Sequence, residues 1–338
     1  MIRAALCGHS HAELRNLLAP LPSFRADQIF QWMLRGAESF SVMSNLPRAV
    51  REDLDRNFTI YAGSVEKRIS DPDGTIKIRI VFPDGAGIES VLLVDASGRN
   101  TACLSTQSGC PLGCVFCKTG RLGLRRNLTA AEIVEQLFHL RLIEPDIANI
   151  VFMGMGEPLL NFDSLRQAIE IISHDSVFSP RRITVSTAGI VPGIRNLGDS
   201  GLNVRLALSL TTAEPVLRNR LMPVTAANPV PDVKESLLYF QHKTRRRLTL
   251  EAVLLRGINT RILDAQSIAE FARGLDVVLN VIPWNPVPGL DEEFHAPSGR
   301  EIAAFTGYLK EKGLNVTRRF RRGTRVAGAC GQLGADPT

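Results

Sequence analysis

Long apolar runs are missing from this 338-residue chain: no stretch approaches the roughly 18 apolar residues of a membrane-spanning helix. The opening Met-Ile-Arg-Ala-Ala-Leu-Cys lacks the apolar core of a signal peptide, so a cytoplasmic protein with no membrane partner is expected. Neither sign of charge dominates, since 40 Lys plus Arg face 34 Asp plus Glu for a net +6. That excess suits a polyanionic partner without requiring one. Internal repeats and low-complexity tracts are absent, which excludes a repeat architecture. At 44% hydrophobic and 22% charged residues, the composition excludes a disordered chain. Cysteine is scarce as well, with six in all, and three of them fall between Cys110 and Cys117. Thiols clustered in this way point to metal or redox chemistry in a reducing compartment rather than a disulfide scaffold.

The cluster reads Gly109-Cys110-Pro-Leu-Gly113-Cys114-Val-Phe116-Cys117-Lys-Thr-Gly120, with spacing C-x3-C-x2-C. Structural zinc sites close a tetrahedron with four protein ligands, and this segment supplies three. No His lies within twenty residues, and Cys103 and Cys330 are the other candidate thiols outside the far N-terminus. Iron-sulfur clusters are held by thiolates, so three close cysteines suit a cluster with one iron left open for a small molecule. The alternative is a set of buried cysteines acting as small hydrophobes. Against it, the glycines and Pro111 describe a tight loop rather than a packed element.

Helical spacing of apolar residues in Ala12–Leu18, Ala26–Met33 and Val50–Leu54 predicts three short helices. Thr75–Phe82 alternates with period two and, through Pro83-Asp84-Gly85, turns into Gly87–Leu93, a hairpin. From about residue 100, strand-like runs alternate with helical patterns: Thr101–Thr106, Asn149–Met153, Arg182–Ser186, Val204–Leu210, Leu248–Leu255 and Val277–Ile282. Helices are predicted at Thr129–Leu142, opened by a capping box, and at Asp163–Ser173, Asp264–Gly274 and Gly299–Gly313. This is an α/β fold, a partial (β/α)6 barrel over residues 96–338 with a helical accessory domain plus hairpin over 1–95. Cys110–Cys117, Glu157, Ser186, Ser209 and Asn259 all fall at carboxyl ends of the predicted strands, where such sheets gather their active sites.

With Phe116 before the third cysteine, the cluster resembles the signature of radical S-adenosylmethionine enzymes. Gly154-Met-Gly156-Glu157-Pro158, Val185-Ser186-Thr187, Ile282-Pro-Trp-Asn-Pro286 and Ala329-Cys330-Gly-Gln-Leu333 resemble the RlmN/Cfr branch, from about residue 25 to the end. The resemblance implies a radical S-adenosylmethionine barrel that methylates an adenine ring carbon, C2 with C8 as the alternative, in RNA, with ribosomal RNA and transfer RNA as the candidate substrates. It implies a [4Fe-4S] cluster on Cys110, Cys114 and Cys117, with S-adenosylmethionine on the open iron. Gly156, Glu157, Ser186, Ser209, Leu210, Thr211 and Asn259 fall on cofactor-contacting positions, although the family usually has His where Thr211 stands.

The implied reaction uses two more thiols. One S-adenosylmethionine methylates Cys330, and a second yields the 5′-deoxyadenosyl radical that activates that methyl group for addition to the ring. Glu89 accepts a proton, and Cys103 then forms a disulfide with Cys330 to release the product. A flavodoxin or ferredoxin supplies electrons to a monomeric enzyme, and Cys7 has no counterpart. Three basic groups are candidate RNA contacts: Arg121, Arg125 and Arg126; Lys243 with Arg245–Arg247; and Arg318, Arg319, Arg321, Arg322 and Arg325. The other classes to weigh are a radical enzyme acting on a non-RNA substrate and a non-catalytic iron-sulfur or RNA-binding module.

Overall fold

The computed structural model describes residues 3–173, 178–290, 292–319, 322–323 and 325–334, so Arg321 lies outside the described residues. Apolar alternation in the strands and one-sided helices produce a single large sheet covered by helices. Its strands are β1 (Ser64–Ser70), β2 (Ile76–Val81), β3 (Gly87–Val94), β4 (Asn100–Cys103), β5 (Ile147–Phe152), β6 (Ile183–Thr187), β7 (Arg205–Ser209), β8 (Leu248–Leu254), β9 (Val277–Pro283) and β10 (Asn315–Arg318). They lie side by side in sequence order, with β1 to β4 antiparallel and β4 to β10 parallel. The order has two ends, as an open, partial barrel does.

All six predicted core strands are present. A seventh parallel strand, β10, and the antiparallel β1 were not predicted, because both are edge strands whose mostly exposed residues carry no apolar alternation. The hairpin pairs directly onto β4, Val91 opposite Cys103, so one sheet runs across the change of texture near residue 95.

Helices α1 (His11–Leu17), α2 (Ser23–Leu34) and α3 (Arg48–Asn57) form the expected N-terminal group. After α4 (Lys118–Leu122) comes α5 (Ala130–Ile143), whose capping box between Thr129 and Glu132 is complete. The remaining helices are α6 (Phe162–Ser173), α7 (Val191–Asp199), α8 (Pro215–Leu221), α9 (Val230–Thr244), α10 (Ile262–Ala272) and α11 (Gly299–Glu311).

Helix α5 is buried on nearly every side, since the N-terminal group packs on it opposite the sheet. The fully buried Glu135 carboxylate accepts the backbone N–H groups of Ala62 and Gly63 at 2.9 and 2.7 Å, and His139 Nε2 lies 3.1 Å away. The link between the helical group and the hairpin is thereby pinned to the core.

Candidate active site

Parallel strands direct their carboxyl ends to one rim, and the loops leaving β4 to β9 build a cavity of about 170 Å³ there. Cys110, Cys114 and Cys117 line it together with Gly156, Glu157, Ser186, Ser209 and Thr211. The cysteine loop is held from several sides. Val115 N–H donates to Leu221 O at 3.1 Å, Trp284 Nε1 to Phe116 O at 3.1 Å, and Lys118 N–H to Gly331 O at 2.9 Å.

Among the described residues no three His, Cys, Asp or Glu side chains converge as on a single metal ion. Three thiols from one loop that line the cavity, without closing around a single metal ion, fit a multi-iron cluster with an open position better than a closed zinc site. Burial pushes the Cys110 thiol up to about 12 and raises those of Cys114 and Cys117, so ionisation requires the cation itself.

Opposite the thiols, Gly156 has φ +98°, and a Cβ there would lie 2.6 Å from Gln107 Cβ. This closeness lets Gln107 Oε1 accept the N–H of Glu157 at 2.8 Å. Glu157 is buried, and its oxygens accept the N–H groups of Ala188 and Leu159 at 2.8 and 3.2 Å. Burial outweighs these bonds and raises its carboxyl to about 7, which an ammonium ligand would offset.

Ser186 Oγ and Ser209 Oγ stand 3.4 Å apart on adjacent strand ends. Thr211 adopts φ +61°, costly for a β-branched residue, and its buried hydroxyl has no partner among the described residues. Behind them the fully buried Arg218 guanidinium donates to Ala188 O, Leu210 O and Ser209 O at 2.6, 3.2 and 3.3 Å, fixing the rim.

Two predicted cofactor contacts are not on this wall. Leu210 is buried in the core, with its N–H bonded to Glu251 O at 2.9 Å. Asn259 is fully buried beneath the rim: its amide donates to Thr211 O and Val253 O and accepts from Leu255 N–H, so its hydrogen-bonding capacity is taken up by the loop. Asn285, which sequence reasoning passed over, faces the cavity instead. Its Nδ2 donates to Cys330 O at 3.0 Å, and its buried Oδ1 has no partner among the described residues. Its place in Ile282-Pro-Trp-Asn-Pro286 was the available signal.

A second cavity, about 330 Å³, adjoins the first and is lined by Cys103, Cys330, Arg318, Arg319 and Arg322. Met153, Ile282, Asn285, Cys330 and Leu333 line both, so Cys330 stands in the wall between them. The expected disulfide between Cys103 and Cys330 is not present: all six cysteines are free thiols, because no two sulfurs meet the close geometry that a disulfide demands. Burial raises the Cys103 thiol to about 12; at the exposed Cys330, desolvation by the surrounding protein raises the thiol as well, against the opposing pull of Arg319.

Glu89 is buried but lines neither cavity. It pairs with Lys77 at 2.9 Å and accepts Gly334 N–H at 2.8 Å, bracing the segment that carries Cys330.

The basic groups divide. Arg126 bridges Asp84 and Glu132 at 2.5 and 2.8 Å, Arg125 donates to Gly85 O and Asp84 O, and Arg121 pairs with Glu293, so these bonds tie the first group to the protein. Lys243–Arg247 precede β8 at the amino ends of the strands, away from the cavities, with Lys243 on Asp199 and Arg247 on Asp276. Of the third group, Arg318, Arg319 and Arg322 line the second cavity.

A parallel α/β sheet with a three-cysteine loop and a Gly-x-Gly-Glu loop on one rim defines a radical S-adenosylmethionine enzyme, and the Radical SAM superfamily model matches residues 104–265. The model of the ribosomal RNA large subunit methyltransferase N-terminal domain matches residues 5–60. The chain is 48% identical to a probable dual-specificity RNA methyltransferase RlmN of Treponema denticola, covering 98% of this chain and 96% of that one. It is 40% identical to the Thermus thermophilus counterpart, covering 96% and 94%. A radical SAM methyltransferase from Sphaerobacter thermophilus superposes with a TM-score of 0.92 at 37% identity, covering 98% of this chain and 99% of that one. The chain belongs to the RlmN family of radical S-adenosylmethionine RNA methyltransferases. Its cofactors are therefore a [4Fe-4S] cluster and S-adenosylmethionine. Among the described residues no helix is long and apolar enough to cross a membrane.

Proposed function

We propose that this enzyme methylates carbon 2 of an adenine in ribosomal RNA and transfer RNA through an S-methylated Cys330. The observation that carries this reading is the position of Cys330 between the cavity lined by the three cluster thiols and the second cavity, which Cys103 also lines. Cys110, Cys114 and Cys117 would hold the cluster, which together with S-adenosylmethionine would supply the radical chemistry that an electron-poor ring carbon requires.

The chain's own part is binding and orientation. Glu157 receives the methionine ammonium; the Gly156 backbone, Ser186, Ser209, Thr211 and Asn285 position the rest of the cofactor, and the buried acceptor of Asn285 and hydroxyl of Thr211 await polar partners. Cys330 carries the methyl group between cavities, and Cys103 releases the product through a transient disulfide that requires the C-terminal segment to move. Glu89 is the proton acceptor of this scheme, its carboxylate lying against Gly334 on that same segment.

The target base is unstacked to enter the second cavity, where Arg318, Arg319 and Arg322 meet its phosphates. The helical group within residues 1–95 docks the RNA. A flavodoxin or ferredoxin supplies electrons, and the enzyme works as a cytoplasmic monomer.

The test is nucleoside mass spectrometry of RNA after anaerobic turnover. Wild type is expected to yield 2-methyladenosine and Cys330→Ala none. Full turnover by Cys330→Ala would overturn the reading, and 8-methyladenosine would reassign the carbon.

A further inference from the structure

One charged side chain of the second cavity, given only a phosphate contact above, also faces the thiol in the wall between the two cavities. Arg319 follows β10 at the lip of the second cavity, and its Nη1 points at three groups. Cys330 Sγ is 3.9 Å away, Met153 Sδ 3.8 Å, and Glu251 Oε2 3.6 Å. Both thiols of the second cavity feel it, since the guanidinium acts electrostatically on Cys103 and Cys330 together.

Its position is built from the sheet. Glu251 on β8, Asn280 on β9 and Thr317 on β10 are register partners on neighbouring parallel strands. Thr317 Oγ1 donates to Asn280 Oδ1, and Asn280 Nδ2 donates to Glu251 Oε1 at 3.0 Å. This polar ladder fixes a buried carboxylate on the wall of the cofactor cavity with one oxygen turned to Arg319. Two residues beyond Thr317, period-two alternation returns Arg319 to the same face, and its N–H is anchored on Val281 O at 3.0 Å. The ladder ends at the sulfur of Cys330.

Cys330 is open to the cavities, and the thiolate rather than the thiol is the nucleophile, so a cation that favours its anion speeds its reaction. We infer that Arg319 is a positioning residue for the thiol chemistry: aimed by Glu251, it holds Cys330 at the wall between the cavities and supplies the positive charge that favours its anion. In the methylation step the Cys330 sulfur gives its proton to solvent in the second cavity and takes a methyl group from a sulfonium, whose departing sulfur keeps the bonding pair. The inference rests on the proposed role of Cys330, but its first test does not.

That test is alkylation of the anaerobically reconstituted enzyme, followed by peptide mass mapping of Cys330. Neutral iodoacetamide and anionic iodoacetate are compared at one pH. Arg319→Gln is expected to slow iodoacetamide at Cys330 by about tenfold and to lower the iodoacetate-to-iodoacetamide rate ratio further, while Arg319→Lys restores the ratio. Glu251→Gln should change the iodoacetamide rate while leaving the ratio high. A purely structural role would change both reagents alike, and an unchanged ratio in Arg319→Gln overturns the inference. In parallel, methyl transfer from S-adenosylmethionine to Cys330 is followed by peptide mass without reductant. Absence of transfer in wild type would sink the proposed function and leave the alkylation result standing.

Discussion

Adding one methyl group at Gly156 tests how the cofactor rim is built. Two costs are combined there. The φ of +98° strains any L side chain by about 1–2 kcal/mol, and a Cβ placed 2.6 Å from Gln107 Cβ and 2.9 Å from Gln107 N overpacks the site by about 1–3 kcal/mol. Entropy removed from the unfolded chain returns about 0.4–1 kcal/mol, so Gly156→Ala should lose roughly 2–4 kcal/mol. Two other glycines separate the terms. Gly257 has φ +70° with nothing within 4 Å of a Cβ, so Gly257→Ala carries the strain alone, about 1 kcal/mol net. Gly154 has no such φ, but its Cβ would lie 2.6 Å from Ser105 Oγ and 2.7 Å from Leu104 O, so Gly154→Ala carries the clash alone. Urea unfolding of the cluster-free proteins, followed by circular dichroism, ranks the three, and equilibrium dialysis of S-adenosylmethionine with the reconstituted proteins reports the site. Gly156→Ala displaces Gln107 and with it Glu157, so it should lose both stability and affinity, whereas Gly257→Ala should keep its affinity. If Gly156→Ala unfolds no earlier than Gly257→Ala, the close packing of this loop on Gln107 is not what shapes the site.

Thr211→Gly relieves about 1–2 kcal/mol of backbone strain against about 0.5–1 kcal/mol of glycine entropy, so urea unfolding should show unchanged or slightly higher stability while dialysis shows weaker cofactor binding. Glu135→Gln leaves one oxygen to serve the N–H groups of Ala62 and Gly63, so it should cost about 1–3 kcal/mol and speed proteolysis near residue 62, read by gel and mass mapping. Asp84, held down to about 2 by its hydrogen bond to Arg126, contributes stability that is present above its ordinary carboxylate range and is lost as pH falls toward 2. Asp84→Asn should flatten the fall of the urea midpoint between pH 5 and 2, and an equally steep fall would refute the assignment.

The spacing C-x3-C-x2-C, the Thr129–Glu132 capping box and the alternation of β2 and β3 were legible in sequence because each depends on neighbours a few residues apart. They were enough to place the thiols and Glu157 at strand ends and to point to an iron-sulfur site with an open iron. The resemblance to a known family then named the methylation chemistry and implied that Cys103 and Cys330 belong to one reaction. The sequence did not distinguish two polar asparagines in loops: Asn259 spends its amide on its own rim, and Asn285 turns its free acceptor to the cavity. Nor did it show that Glu89 is paired with Lys77 and bound to Gly334, 245 residues away, or that Arg126 is tied to Asp84. Local pattern determines which elements form and which chemistry they carry. Which polar groups remain unpaired at the site depends on contacts between residues far apart in the chain, and only the packing of ten strands in register decided that.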